Sequence, residues 1–448
     1  MTPLVLFFHL FQLGRGSLAS WDEAIYASIA RTVFRTGDWL CLRDMGFVWL
    51  EKPPLAIWAT AGFYHWLGVS EFTARLFSAV CGIALVYLTY FIGRQLINRY
   101  VGLIGALTLL SSSYYLRFTR FGMTDIPVVF FMALTLYLFW LGQQRNRFLV
   151  LSGVALGLAL MTKGFTVLMI LPVCWIYCVW TRRTEILRRP AYWVGLALAL
   201  AILLPWLVYQ VAYFREQLWQ QLVVRQFILR VNGVLDGHSG NWYFYIRALI
   251  NKYHPWILIG VFSAPFFLIK SIRTRENEIV FLTIWMFFIF VCVTAVQTKL
   301  HWYILPVYPP LSISVGYVIA LILGEKHARW VRLIFIAALA LHIPLSHVLS
   351  ADYSADIKGI APLVKREVPA GGQLYLYQYH EIPACDFYIE RKYAYLENAE
   401  EFIIKAKDKG FNCLIHRDRL EPILTQAPWI KKNIKGSFDK LLFVSTAP

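Results

Sequence analysis

The feature that most constrains this chain is a succession of long apolar runs separated by short polar breaks. Runs lie near residues 2–19, 75–93, 100–116, 125–142, 148–161, 164–181, 191–212, 254–270, 278–297, 302–323 and 330–349. A helix needs roughly 20 apolar residues to cross the hydrocarbon of a bilayer, and several runs approach that length. With 58% hydrophobic and only 15% charged residues, the text excludes an ordinary soluble enzyme. The expectation is an α-helical multi-spanning membrane protein with about 11 transmembrane helices. The opening TPLVLFFHLFQL lacks the basic start of a cleavable signal and is short for a span, so the first helix is expected to extend to about Ser20, or the chain to begin upstream.

The breaks alternate in character. GRQLINRY, QQRNR, TRRTEILRRP, KSIRTREN and GEKHARWVR are short and basic, which assigns them to the cytoplasm by the positive-inside rule. Topology therefore accounts for the net charge of +17 without nucleic acid. The intervening loops fall on the extracytoplasmic face: residues 20–70, RFTRFGMTD, MTKG, 213–253 and QTKLHW. Five loops distant in sequence thus carry ionisable residues to one membrane surface.

Two amphipathic helices are expected in the first of these loops. Residues 24–36 place Ile25, Ile29 and Val33 on one face before Gly37; residues 53–67 start at Pro53-Pro54 and carry Trp58, Tyr64 and Trp66 before Gly68. Such helices lie in the membrane interface. Beyond the membrane region, 1–350, the composition changes to that of a small soluble α/β domain, 351–448, with 14 Lys plus Arg against 13 Asp plus Glu. QLYLYQY, FNCLIH and LLFVS read as strands and AEEFIIKAKDKG as a helix. Cys385 and Cys413 in this tail are candidates for a disulfide, while the cysteines inside apolar runs read as small hydrophobes.

The outer loops gather the carboxylates Asp22, Glu23, Glu51 and Asp125 with the cations Lys52, Lys163, Arg225, Arg230 and Lys299, and bring His238 and His301 nearby. Ionised groups beside a bilayer are costly unless used or neutralised. Several cations suit a lipid phosphate, and a carboxylate opposite them suits removal of a proton from a hydroxyl. These are the parts for displacement at a sugar carbon bearing a lipid-phosphate leaving group. Plainer readings stand beside each: Lys163 and Lys299 as snorkelling helix ends, Asp125 as a helix cap, Arg225 and Arg230 as partners of Glu216 or Asp236, and His238 as a loop histidine. A transporter or flippase of a lipid-linked anion is the alternative, but it calls for charges near the middle of spans rather than at their ends.

WDEAIYASIARTVFRTGDWL, LEKPPLAIWATAGFYHWLG and EFTARLFSAV resemble the first outer loop of the integral-membrane glycosyltransferases that include protein O-mannosyltransferases and the bacterial aminoarabinose transferase acting on lipid A. TRFGMTDIPVVFF, LALMTKGFTVLMILP, LLPWLVY, GHSGNWYFY and TKLHWYILPVYPPLSI continue the resemblance over roughly residues 20–320. It implies a GT-C fold, a polyprenyl-phosphate sugar donor and an inverting transfer to a lipid or protein acceptor outside the plasma (inner) membrane. By position, Asp22 resembles the catalytic acidic residue. Lys52, Lys163, Arg230 and Lys299 resemble binders of donor phosphate, with Tyr26, Glu51, Asp125, His238 and Tyr303 near the cavity. Ile25 departs from the DEARYA of the aminoarabinose enzymes, so the resemblance does not extend to sugar or acceptor. A divalent cation bridging Asp22, Asp125 and phosphate is conceivable chemistry, but with so many cations present none is expected to be required.

Overall fold

The computed structural model describes residues 1–235, 237–324, 333, 335, 337, 352–379 and 382–447. Seven helical stretches among them are long and apolar enough to cross a membrane: Glu71–Leu96, Asp125–Gly142, Asn146–Trp180, Pro190–Asn232, Ile257–Thr274, Asn277–Ala295 and His301–Leu323. The runs expected at 148–161 and 164–181 both fall in the Asn146–Trp180 stretch, which is broken at Gly164. The run near 330–349 lies almost wholly outside the described residues, as does most of the basic break before it. Close helix packing uses small residues, as in other membrane bundles. A Cβ on Gly153 would collide with the Gly195 backbone, where the Asn146–Lys163 helix crosses Pro190–Leu218.

Two expected spans take another form. The first apolar run is helical only over Thr2–Leu10, and the chain then turns through Gln12 and Gly16, both at positive φ. Buried carbonyls at an unwound helix end need donors, and Arg120 supplies them. Its Nη1 lies 3.0 Å from Phe8 O, and its Nη2 lies 2.9 Å from Phe11 O and 3.1 Å from Gln12 O. The run near 100–116 divides into Arg99–Leu110 and Ser113–Thr119. Conversely, residues expected as loop from 213 onward continue the preceding span. Pro190–Leu218 runs into the wider π-helix Trp219–Leu229 and then Arg230–Asn232, bringing Arg225 and Arg230 to a helix end.

The first outer loop holds the amphipathic helices Asp22–Thr36 and Leu55–Leu67, with a small antiparallel pair, β1 (Arg43–Asp44) and β2 (Phe47–Val48), between them. The C-terminal domain is a five-stranded sheet ordered β4-β3-β5-β7-β6: β3 (Gln373–Tyr377), β4 (Lys392–Leu396), β5 (Asn412–His416), β6 (Ile434–Phe438) and β7 (Leu441–Ser445). Strands β4, β3 and β5 are parallel, whereas β7 is antiparallel to both neighbours. One sheet face forms its own core around Phe402, Cys413 and Ile423. The other shares a core with the first outer loop, joining Leu374, Cys385, Phe387 and Phe443 to Ile29, Val33 and Tyr64. Cys385 and Cys413 therefore occupy different cores, and both are buried thiols not joined in a disulfide.

Candidate active site

A cavity of about 520 Å³ opens where the outer loops converge, large enough for a lipid headgroup or small ligand. Its polar wall contains Asp22, Glu51, Lys52, Asp125, Lys163, Arg230, His238 and Tyr303. Each comes from the end of a helix or from a loop. Asp22 occupies the first turn of Asp22–Thr36, where the helix dipole favours a carboxylate, and Gly37 closes that helix in the left-handed conformation at φ 72°. Asp125 starts Asp125–Gly142 and Lys163 ends Asn146–Lys163, each again at the terminus that favours its charge.

Asp22 accepts from Tyr26 Oη and from Lys52 Nζ, both at 2.8 Å on the same oxygen, Oδ2. Lys52 also donates to Tyr26 Oη and lies 4.7 Å from that ring's centroid. Burial alone would raise the Asp22 carboxyl, but the Lys52 ammonium, with Lys163 and Arg230 beyond it, outweighs burial and holds its pKa below the ordinary value. Asp22 is thus ionised at neutral pH and able to accept a proton. Lys163 pairs with Asp125 and sits 5.2 Å over the Tyr303 ring, while Arg230 donates to Tyr303 Oη. The Arg230 Nε is buried without a hydrogen-bond partner among the described residues.

Most of the remaining wall is apolar, including Met123, Val128, Met132, Leu168, Met169 and Val293, with Trp21 and Trp302 also lining it. Cationic groups thus meet a surface that can take a hydrocarbon chain. The sequence reading missed these apolar residues and both tryptophans, although Trp21 adjoins Asp22. It also missed Gln226, which lines the cavity and donates to Glu51 Oε2 at 3.0 Å.

Five expected site residues do not line the cavity; of these, His301 stacks on Phe244 with ring centroids 4.7 Å apart. Tyr26 lies behind Asp22 and Lys52 and touches both. Arg225 is half-exposed and pairs with Glu51 at 3.4 Å, not with Glu216; Asp236 is outside the described residues. Glu23 is wholly buried and accepts from Ala19 N, Gly122 N and Arg75, whose Nε lies 2.8 Å from Oε1. Arg75 spends its other donors on the carbonyls of Leu13, Arg15 and Ser17. Glu23 is therefore a structural tie between three segments. Lys299 is buried, and its Nζ lies 2.6 Å from both Thr294 O and Val296 O, capping the end of Asn277–Ala295. Burial lowers its pKa. Its ammonium is consumed by helix carbonyls, as a lysine at a helix C-terminus commonly is. Among the described residues, no group of three or more His, Cys, Asp or Glu is placed to hold a metal ion.

Helices long and apolar enough to span a membrane, a cavity of mixed cationic and apolar walls and a small appended sheet domain together describe an integral-membrane protein with the GT-C type of fold. The profile of the dolichyl-phosphate-mannose-protein mannosyltransferase family matches residues 51–209. The undecaprenyl phosphate-alpha-4-amino-4-deoxy-L-arabinose arabinosyl transferase 1 of Pseudomonas fluorescens is 28% identical over 73% of this chain and 58% of its own length. The chain thus spans somewhat over half of that relative. The crystal structure of ArnT from Cupriavidus metallidurans bound to undecaprenyl phosphate superposes with a TM-score of 0.81 at 20% identity, covering 99% of this chain and 97% of that one. An Archaeoglobus fulgidus oligosaccharyltransferase matches at a TM-score of 0.65 and 10% identity over 93% of this chain and 69% of that one. These matches show that the chain has the fold of these membrane glycosyltransferases and is similar to them in sequence.

Proposed function

We propose that this chain transfers a sugar from a polyprenyl-phosphate donor to a hydroxyl of a lipid or protein acceptor, at the extracytoplasmic face of the plasma (inner) membrane and with inversion. The observation that carries this reading is the position of the ionised Asp22 on the wall of a cavity shared by Lys52, Lys163, Arg230 and a lipid-compatible apolar surface. In the proposed reaction the acceptor oxygen bonds to the anomeric carbon as the carbon–oxygen bond to phosphate breaks. Asp22 takes the hydroxyl proton, and the lipid phosphate leaves as an anion. Lys52, Arg230 and Tyr303 Oη are the groups that would hold that anion, and Lys163 adds positive potential. Asp125, paired with Lys163, orients that lysine. The apolar wall would receive the first isoprene units, and the undecaprenyl phosphate named for the Cupriavidus structure supports a ligand of that class.

The reading includes no metal requirement, because Asp22 and Asp125 each already face a lysine ammonium. A chelator titration tests this: an unchanged rate is expected, and loss restored by Mg²⁺ would overturn it. The central test incubates the purified full-length chain with a panel of radiolabelled undecaprenyl-phosphosugars and envelope lipids or proteins. Transfer from at least one donor, abolished in Asp22→Asn, is expected. Absence of transfer from every donor would refute the reading.

A further inference from the structure

The Asp22–Thr36 helix meets the cavity at its first residue, Asp22, and packs a second face on the C-terminal domain. On that second face Arg31, only 8% exposed, donates from Nη1 to Phe387 O at 2.6 Å and from Nη2 to Asp386 O at 2.7 Å. Both carbonyls belong to the last turn of the Ile382–Tyr388 helix, so a residue of the first outer loop caps a helix some 355 positions away. The Glu390 carboxylate lies 3.1 Å from Arg31 and 2.6 Å from Arg35.

The segment just before Asp22 is held by the same domain. Leu18 N donates to Tyr388 Oη at 2.8 Å, and that hydroxyl lies 3.1 Å from Glu71 Oε1. Ala384 N lies 3.3 Å from Ser20 Oγ, Ser17 N donates to Asp352 at 2.8 Å, and Ser354 N donates to Ser17 Oγ at 2.7 Å. The backbone around Asp22 is thus gripped at residues 17, 18 and 20, and again more than two turns later at Arg31. This matters because the helix has no side-chain cap of its own at Trp21 and its first residue, Asp22, opens onto the cavity.

We infer that the Ile382–Tyr388 helix is a positioning element for transfer, clamping the Asp22–Thr36 helix so that the Asp22 carboxylate stays against Lys52 and Tyr26. Arg31 and Tyr388 are its two hinge pins. Neither touches the cavity, and both act through Asp22. The kinetic consequence rests on the reading of Asp22 as the proton acceptor. The clamp itself does not.

The test uses the full-length chain in detergent or nanodiscs, with Tyr388→Phe, which removes one hydroxyl, and Arg31→Lys, which keeps a cation beside Glu390 but replaces the guanidinium fork, whose Nη1 and Nη2 each reach a carbonyl, with a single nitrogen. Hydrogen exchange of amides 18–26 needs no donor, and it is expected to accelerate by about tenfold or more in both variants. Unchanged exchange would overturn the clamp whatever the reaction proves to be. With the undecaprenyl-phosphosugar that wild type turns over, kcat is expected to fall about tenfold or more, since displacement near 1 Å can cost about 10²-fold. The affinity for undecaprenyl phosphate alone should stay within about twofold. The acid limb of the pH–rate profile should move upward as Asp22 withdraws from Lys52, Lys163 and Arg230. Wild-type kcat with an unmoved acid limb, in a variant that folds, would overturn the positioning role. If either variant fails to fold, Ser20→Ala carries the same comparison. Accelerated exchange with reduced kcat supports the clamp, and wild-type values refute it. Failure of wild type itself on all donors would indict the transferase reading, which the exchange data distinguish.

Discussion

Asp22 and Glu23 are consecutive acidic residues, each paired with a cation, yet they belong to two different regions of the molecule. The Asp22 side chain is 36% exposed at the cavity and shares its charge with Lys52 and Tyr26 through one oxygen. Glu23, turned about 100° around the same helix, has no exposed surface and no spare acceptor position of consequence: two backbone amides and Arg75 occupy it. The first pair is incomplete and accessible, which lets a substrate enter its hydrogen bonding. The second is saturated, which makes it scaffold. The difference teaches that a carboxylate–cation pair near a membrane identifies function only together with its exposure and its unfilled bonds.

Substitutions at the two positions should separate these roles. Asp22→Asn is expected to lower the transfer rate by roughly 10²–10⁴-fold, the usual contribution of a general base, with little change in thermal midpoint. Initial rates and a melting curve on the same preparation check both halves, and a strongly destabilised Asp22→Asn would break the comparison. Glu23→Gln should do the reverse. Removing one partner of a buried pair costs about 3–5 kcal/mol, so thermal unfolding in detergent should show a large loss. A stable but inactive Glu23→Gln would return that residue to the substrate-binding group.

Among the cations the expected effects are smaller. Lys52→Ala should weaken undecaprenyl phosphate by about tenfold or more, given about 1.5–3 kcal/mol for a hydrogen bond to a charged group. Lys299→Ala should leave that affinity within about twofold and lower stability instead, because its partners are helix carbonyls. Tryptophan-fluorescence titration distinguishes the two, and equal losses would show that Lys299 reaches the headgroup after all.

The smallest effect concerns pH. Burial raises Asp386 from 3.8 to about 7, offset in part by its bond to Tyr393. Between those values the folded protein holds a proton that the unfolded chain has released. This contribution to stability is full below the unfolded value and is lost as pH rises through about 7. Asp386→Asn should therefore gain thermal stability relative to wild type as pH rises from 5 to 8. A constant difference across that range would sink the assignment.

The sequence made the membrane class legible because hydrophobic length and charge asymmetry are local quantities. The Asp125–Gly142 span and the helices at 22–36 and 55–67 follow from such patterns. Eight of the thirteen expected site residues line one cavity, since charge at helix ends on one membrane face has few other places to go. Misreadings arose where backbone carbonyls decided. Nothing local marks Arg120 as the cap that lets the first run unwind, or Lys299 as the cap of its own helix. Likewise QLYLYQY and LLFVS were readable as β3 and β7, whereas β4, β6 and the β1–β2 pair lacked a strong alternating pattern.

By itself, then, the sequence determined that the chain enters a bilayer, which loops share a surface, and which residue types gather there, because transfer free energy and charge act residue by residue. Only the tertiary structure decided which of two adjacent acids faces the cavity, which cations remain available to an anion, and that the C-terminal domain grips the helix bearing Asp22. Those outcomes depend on hydrogen-bond partners up to 370 positions apart, and no window along the chain contains both ends of such a bond.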